Sequence, residues 1–298
     1  MRPAYIDLRN SGELKSRKIE ADIRARSCNL CPHECGADRY AGGEGFCNTG
    51  MSAIVASQGP HFGEERPLVG SGGSGTIFFS NCNMRCVFCQ NCDISQSGIG
   101  GECTPEILAS MMLSLQTRGC HNINLVSPSH VVPSILAALL VAIPRGLNLP
   151  LVYNSGGYDS VATLRLLDGI IDIYMPDIKY ADDDTANRLS DAPGYPAFAS
   201  RAVEEMHRQV GDLTISGGVA TRGLLIRHLI LPESLAGSRN IVDFVAKLSK
   251  NTYINLMDQY RPSYLARTIP GLGRRVTIGE YRDVQNYARS SGLRRFAR

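Results

Sequence analysis

Six continuous apolar runs follow one another along the chain after residue 75, and each is as long as one β-strand. They cover residues 76–80, 122–127, 149–155, 171–177, 224–231 and 252–257. Apolar residues fill these runs without regular polar alternation, which is typical of parallel strands buried on both faces. The pattern therefore predicts a largely parallel sheet.

Helical segments separate the apolar runs. The clearest begins at Thr104, has Pro105 and Glu106 in its first turn, and ends at Gly119. Acidic residues at 182–184 predict another helix start, because negative charge is favoured at a helix N-terminus. The strand–helix alternation indicates an α/β fold with a sheet that is open or curled into a partial barrel. Further helices are predicted over about 131–142, 160–168, 197–210, 239–250 and 279–290.

The first 70 residues have a different composition, rich in glycine, cysteine and charge, with little periodicity. They predict a small loop-rich module, and the segment GSGGSG at 70–75 is typical of a linker. We therefore predict two domains: a cysteine-rich metal-binding module at 1–70 and a core domain at 71–298.

Charge and composition exclude several classes of function. The 298 residues carry a net charge of +3, too small to indicate nucleic-acid binding. The longest apolar run, at 135–143, is about half of what a membrane span needs, and the charged N-terminus does not resemble a signal peptide. We therefore expect a cytoplasmic protein without a membrane partner. In that reduced compartment, ten cysteines favour metal binding or catalysis over disulfides.

A cysteine cluster directly follows the first predicted strand, at the edge of the sheet where active sites of α/β proteins lie. Cys82, Cys86 and Cys89 have the spacing C-x3-C-x2-C, and Phe88 precedes the third. Closed zinc sites and ferredoxin clusters need four ligands, whereas a catalytic metal site leaves one position open. Three thiolates in one loop fit a [4Fe–4S] cluster with one uncommitted iron. Cys92 would supply the fourth ligand of a structural zinc loop instead.

The segment CNMRCVFC resembles the signature of radical S-adenosylmethionine (radical SAM) enzymes. The resemblance implies a partial (β/α)6 barrel and a cluster whose open iron binds S-adenosylmethionine. Its one-electron cleavage would give methionine and a 5′-deoxyadenosyl radical, which abstracts hydrogen from a substrate. Further segments resemble the proteins related to pyruvate formate-lyase activating enzyme, the PflX-like group: HFGEERP, SPSHVVPSIL, YNSGGYDS, MPDIKYAD, LIRHLILP and NLMDQYRP.

This resemblance also implies roles for individual residues. Lys179, in an Asp-x-Lys motif that begins at Asp177, and Arg227 would hold the carboxylate of S-adenosylmethionine. Asn154 and Ser155 fall, with Met175 and Asp177, where activating enzymes hold a monovalent cation, although Asn154 replaces an acidic residue. In place of the usual Gly-Gly-Glu segment stands SPSH, where Ser127, Ser129 or backbone carbonyls would contact the methionine amino group. Cys92 is expected not to bind the cluster, so that the cluster has three protein ligands and one open iron.

A second cysteine set, Cys28, Cys31, Cys35 and Cys47, predicts a closed metal knuckle, and both zinc and an auxiliary [4Fe–4S] cluster are compatible with it. The predicted function is a radical SAM enzyme, and the resemblance suggests that its substrate is a backbone glycine of a glycyl-radical partner protein. The alternatives are a radical SAM enzyme acting on a small molecule or peptide, and a non-catalytic metal-binding or electron-transfer protein. A radical enzyme would also need an electron donor such as flavodoxin or ferredoxin.

Overall fold

A computed structural model describes residues 3–297. The strands are Ala53–His61 (β1), Ser74–Phe79 (β2), Gly101–Cys103 (β3), Ile123–Val126 (β4), Leu151–Ser155 (β5), Ile173–Pro176 (β6), Thr214–Ser216 (β7), Val219–Leu229 (β8), Tyr253–Met257 (β9) and Arg295–Phe296 (β10). The helices are Tyr5–Asn10 (α1), Glu13–Arg26 (α2), Arg66–Val69 (α3), Cys92–Ser95 (α4), Pro105–Thr117 (α5), Val132–Ala142 (α6), Val161–Leu166 (α7), Asp183–Ser190 (α8), Tyr195–Val210 (α9), Ser238–Leu248 (α10) and Ile278–Ser290 (α11).

The strands form one large sheet with parallel strands in chain order. Its order is β10-β9-β8-β6-β5-β4-β2-β1-β3, and β7 pairs only with β8. All neighbours from β2 to β10 are parallel, whereas β1 runs antiparallel to both β2 and β3. The six predicted strands are therefore confirmed, and so is the mixed α/β class. The curling of this sheet into a partial (β/α)6 barrel stays a prediction.

Both faces of the parallel strands are buried, which explains the continuous apolar runs. Successive side chains of a strand point to opposite faces. In β5, Leu151 and Tyr153 pack in the cluster beneath the helices, while Val152 packs on the other face with Ile173 and Met175. Each strand thus fills two apolar layers with one run of residues.

The helices lie where the sequence predicts them. Thr104 caps α5 by accepting a hydrogen bond from the Ile107 N–H, and the Asp182 carboxylate caps α8 by accepting one from the Thr185 N–H. These side chains satisfy N–H groups that have no partner inside the helix. Helix α11 begins with a capping box formed by Thr277 and Glu280. No helix in residues 3–297 has the length and apolar character to cross a membrane.

The prediction of a loop-rich module before residue 70 is wrong in two respects. Residues 5–26 form two helices, and the Tyr5 hydroxyl donates a 2.8 Å hydrogen bond to the Leu149 carbonyl of the core. Strand β1 also belongs to the main sheet, next to β2. The proposed boundary between residues 1–70 and 71–298 therefore falls inside a continuous hydrogen-bonded structure.

The glycine-rich segment 70–75 is not a flexible linker but a place of close backbone approach. A Cβ atom at Gly72 would lie 1.9 Å from the Gly119 carbonyl oxygen. His121 accepts hydrogen bonds from the Ser71 and Gly72 N–H groups at 3.1 and 3.0 Å. Glycine is required here because a side chain would displace the neighbouring loop.

Candidate active site

One cavity lies at the carboxyl ends of the parallel strands and brings together most of the predicted site residues. It encloses about 180 Å³, in a recess of about 780 Å³ when its open mouth is included. Sites in open α/β sheets form at this edge because the loops that follow the strands converge there. The lining residues that matter below are Cys82, Met84, Cys86, Cys89, Asn91, Ser95, Gln96, Ser127, Asn154, Ser155, Gly156, Asp177, Lys179 and Arg227.

The cysteine loop leaves β2 through a sharp turn at Asn81, whose φ is 67°. Asparagine tolerates this left-handed conformation better than most residues. The Arg85 and Val87 N–H groups then donate to the carbonyls of Ser190 and Leu189 at the end of α8. These bonds fix the backbone on both sides of Cys86, the second cysteine, against a helix about 100 residues away.

Two hydroxyl groups contact the cysteine sulfurs. Ser190 donates a 2.9 Å hydrogen bond to the Cys86 Sγ, and the Ser95 hydroxyl lies 3.1 Å from the Cys89 Sγ. Burial raises the pKa of the Cys82 and Cys86 thiols, although the nearby Lys179 ammonium acts in the opposite direction on both. A buried thiolate is costly without a compensating cation, so this loop is suited to a bound metal centre.

The donor chemistry fits an iron–sulfur cluster, since thiolates are its usual ligands. Each thiolate of a cluster binds a different iron, so the three sulfurs need not converge on one point. Within residues 3–297, no three His, Cys, Asp or Glu side chains are arranged to hold a single metal ion. The zinc alternatives therefore gain no support from the arrangement.

Three charged side chains form another part of the cavity wall. Asp177 accepts from Lys179 Nζ at 2.6 Å and from Arg227 Nε at 2.8 Å. Burial by itself would raise the pKa of Asp177, but the two cations outweigh it and lower the pKa to about 2. The carboxylate is therefore ionised and orients both cations at the cavity. The Arg227 Nη2 also donates to the Asn154 Oδ1 at 2.8 Å.

Two further acidic residues, Glu64 and Glu65, lie near Arg227 and were not predicted as site residues. Glu64 Oε2 lies 3.8 Å from Arg227 Nη1, and Glu65 accepts a 2.9 Å hydrogen bond from Asn255. Burial raises the pKa of Glu64 against the lowering effect of Arg227. Both belong to the segment HFGEERP, so the sequence contained the signal, but only the fold brings this loop to β8 and β9.

Hydroxyl and amide groups line the floor of the cavity between β4 and β5. Ser127 lies there in a left-handed conformation, with φ of 59°, and its N–H donates to the Asn154 carbonyl. Ser155 donates to the Asp159 carboxylate at 2.6 Å, and Ser129 donates to the other oxygen of that group at the same distance. Asp159, which the sequence did not single out, thus anchors two of the predicted polar residues.

Several predicted residues lie away from the cavity. Phe88 packs edge-to-face against Tyr180 and Tyr260. Met175 packs in the apolar cluster that contains Val152 and Ile173. Cys92 is the first residue of α4 and does not line the cavity. His130 is buried and contacts the Ser80 carbonyl at 2.9 Å.

The second cysteine set also comes together, beside the first loop. Cys28, Cys31 and Cys47 are buried and Cys35 is exposed, and the Arg39 side chain donates a hydrogen bond to the Cys47 sulfur. His33 Nε2 lies 3.0 Å from the Asn83 carbonyl oxygen of the first cysteine loop. The two cysteine sets therefore belong to one connected region.

Comparison with known proteins defines the family. The chain is 32% identical over 275 residues to the uncharacterized protein MJ0674 of Methanocaldococcus jannaschii, covering 90% of this chain and 76% of that protein. The chain therefore belongs to the same family as that protein. No family model matches it. Among solved structures, a radical SAM methyltransferase from Sphaerobacter thermophilus has a TM-score of 0.49 and 15% identity, covering 75% of this chain and 67% of the other.

Proposed function

We propose that this protein is a radical SAM enzyme. The observation that carries the proposal is that three cysteines with C-x3-C-x2-C spacing and the two cations Lys179 and Arg227 line the same cavity. A structural zinc loop or an electron-transfer protein has no need for two partly buried cations in the same cavity as its thiolates. An enzyme that binds an amino acid group at an open iron needs both features.

Each part of the cavity has a defined task in this proposal. Cys82, Cys86 and Cys89 would hold three irons of a [4Fe–4S] cluster. When bound together, cluster and S-adenosylmethionine supply the one-electron cleavage that yields methionine and a 5′-deoxyadenosyl radical. Lys179 and Arg227 would bind the carboxylate of the methionine group by charge-assisted hydrogen bonds. Asp177 keeps both cations charged and oriented before that carboxylate arrives.

The polar floor would contact the amino end of the methionine group. Ser127, Asn154 and Ser155 line the cavity and carry oxygen atoms that can accept hydrogen bonds. Ser155 is oriented by Asp159, which the Ser129 hydroxyl also contacts. The place of Cys92 outside the lining supports a cluster with three protein ligands and one open position.

The substrate class is a further part of the proposal. The resemblance to the PflX-like group supports hydrogen abstraction from a backbone glycine of a partner protein, with a reduced flavodoxin or ferredoxin as the electron donor. A small molecule or a peptide is the alternative substrate. Purified chain, S-adenosylmethionine and a candidate glycyl-radical protein should give the doublet electron paramagnetic resonance signal of a glycyl radical. Without that signal, the small-substrate alternative is favoured.

The proposal is tested first by anaerobic reconstitution with iron and sulfide. Dithionite and S-adenosylmethionine are then added, and 5′-deoxyadenosine is quantified. We expect product from wild type and from Cys92→Ala, but none from Cys86→Ala. Cys120→Ala is the matched control, since it removes another buried cysteine outside the cavity. A wild-type protein that binds zinc rather than iron and yields no product would contradict the proposal and favour a non-catalytic metal protein.

A second test addresses the carboxylate site. Lys179→Met should weaken the binding of S-adenosylmethionine to the reconstituted protein by about tenfold to a hundredfold, because one charge-assisted hydrogen bond contributes roughly 1.5–3 kcal/mol. Lys250→Met, at an exposed site, is the control. Equal affinities of wild type and Lys179→Met would exclude Lys179 from the binding site.

A further inference from the structure

We propose that Cys28, Cys31, Cys35 and Cys47 hold a second iron–sulfur cluster and that Arg39 is its buried counter-charge. The proposal does not depend on the radical SAM function, because it rests on a different set of side chains. It follows from three features of this region: a buried cation, an unpaired donor and a backbone fitted closely to sulfur.

The buried cation is Arg39, which is only 4% exposed. Its Nη1 donates to the His130 carbonyl, and its Nη2 donates to the Cys47 Sγ at 3.3 Å. Burying a guanidinium is costly unless a negative group compensates it. Thiolates bound to a metal centre would supply that negative charge.

The unpaired donor is the Nε–H of the same side chain, which is buried and has no hydrogen-bond partner. In a planar guanidinium, Nε–H and one Nη2–H point in the same direction, as a fork. Nη2, one arm of this fork, reaches Cys47, and we infer that the buried Nε–H is directed towards the same cysteine set. A zinc ion would bring no acceptor atom beyond the cysteines themselves. An iron–sulfur cluster brings inorganic sulfide, which accepts hydrogen bonds.

The backbone is also fitted to the sulfur atoms. A Cβ atom at Gly45 would lie 2.3 Å from the Cys35 Sγ, so only glycine permits this approach. The backbone at Gly45 therefore passes directly against one of the four sulfurs.

Direct contacts join this region to the first cysteine loop. Asn81 Nδ2 donates to the Asn48 carbonyl at 2.8 Å, one residue from Cys47 and one from Cys82. Arg85 donates to the Phe46 carbonyl at 3.1 Å and lies 4.2 Å from the centre of that ring. The second site is thus built against the first rather than on a separate module.

The test is the metal content of the anaerobically reconstituted full chain. Cys82→Ser/Cys86→Ser/Cys89→Ser should retain about four irons and four sulfides, the content of one [4Fe–4S] cluster. Cys31→Ser/Cys47→Ser should retain a similar amount in the first loop, and wild type about twice as much. Cys103→Ser/Cys120→Ser is the matched control and should behave as wild type. Circular dichroism and gel filtration check that each variant is folded.

Two results would overturn the proposal. One is a folded triple variant that contains zinc, or no metal, instead of iron. The other is a wild-type chain with only about four irons whose content is unchanged by Cys31→Ser/Cys47→Ser. If the triple variant does not fold, the iron content of the wild type and of Cys31→Ser/Cys47→Ser still decides whether a second cluster is present. Loss of 5′-deoxyadenosine formation alone would bear on the proposed function and not on this site.

The role of Arg39 has a separate readout, the reduction potential of the second cluster in the triple variant. Reduction adds negative charge, so a buried cation favours the reduced state. Arg39→Gln should lower the ratio of reduced to oxidised cluster at fixed solution potential by about tenfold, which is 59 mV for one electron. Arg39→Lys should restore part of the lost ratio of reduced to oxidised cluster, because it keeps the positive charge. Arg26→Gln removes an exposed charge near Cys28 and should change the ratio little. An unchanged potential in Arg39→Gln would refute the counter-charge role.

Discussion

The ion pairs of Asp177 should dominate the stability of the active-site wall, and Asp177→Asn tests this. The carboxylate is 15% exposed and binds both Lys179 and Arg227. Its pKa falls from 3.8 to about 2. Each pKa unit corresponds to about 1.4 kcal/mol, so ionisation of Asp177 stabilises the fold by roughly 2 kcal/mol. The substitution also leaves two partly buried cations without this partner. Breaking a fully buried pair costs about 3–5 kcal/mol, and the partial exposure of these groups places their loss at the lower end of that range.

We therefore expect urea denaturation at pH 7 to show a loss of about 3 kcal/mol in the free energy of unfolding for Asp177→Asn. Asp258→Asn, an exposed carboxylate after β9, is the control and should change it by less than about 0.5 kcal/mol. The pKa is lower in the folded than in the unfolded state. The stabilisation is therefore complete above about pH 4 and is lost as the pH falls towards 2. Asp177→Asn should lack this part of the acid dependence. A loss below about 1 kcal/mol would refute the reasoning and show that Glu64 and Glu65 balance the cations by themselves.

Three further substitutions test other parts of the structure by denaturant unfolding. Gly72→Ala should lower the free energy of unfolding by about 2–3 kcal/mol, because its Cβ would meet the Gly119 carbonyl. The control Gly273→Ala has open space around the new Cβ and should be nearly neutral. Equal effects of the two substitutions would contradict the close approach at Gly72. Tyr195→Phe should cost about 2 kcal/mol, since its hydroxyl accepts from the Lys179 N–H at 2.9 Å, and a neutral result would show that water replaces it. Burial lowers the pKa of His228 to about 4, below its value in the unfolded chain. Protonation of His228 should therefore lower the free energy of unfolding of the wild type by about 3 kcal/mol as the pH falls from 6.5 to 4. His228→Gln should lose correspondingly less over that range, and parallel curves would contradict the assignment.

The parallel core was predictable because its signals are local. Each strand is a continuous apolar run, and helix starts such as Thr104 carry their own capping residue. The elements before residue 70 lacked such signals. Helix α2 buries few apolar side chains, among them Leu14, Ala21 and Ala25, and β1 contains Gly59 and Pro60, which are uncommon within strands. The place of β1 in the sheet depends on its pairing with β2, a long-range contact that no local sequence pattern reveals.

The candidate site shows the same division. The cysteine spacing and the Asp-x-Lys motif lie within short segments, and the structure brings both to one cavity. The partners missed by sequence reasoning come from distant segments. Ser190 reaches Cys86 across 104 residues, and Asn255 reaches Glu65 across 190. Phe88 precedes a predicted cluster ligand, but its ring is drawn into an aromatic cluster because that burial is more favourable than exposure at the cavity.

The antiparallel pairing of β1 with β2 has a consequence for how the chain can be divided. Strand β2 leads directly into the cysteine loop, and β1 covers its otherwise free side. A fragment that starts at residue 71 would expose the N–H and C=O groups of β2 as a long unprotected edge, which recruits strands from other molecules. Such a fragment should aggregate although it contains every residue of the proposed catalytic cavity, so solubility itself depends on the segment that precedes the cysteines.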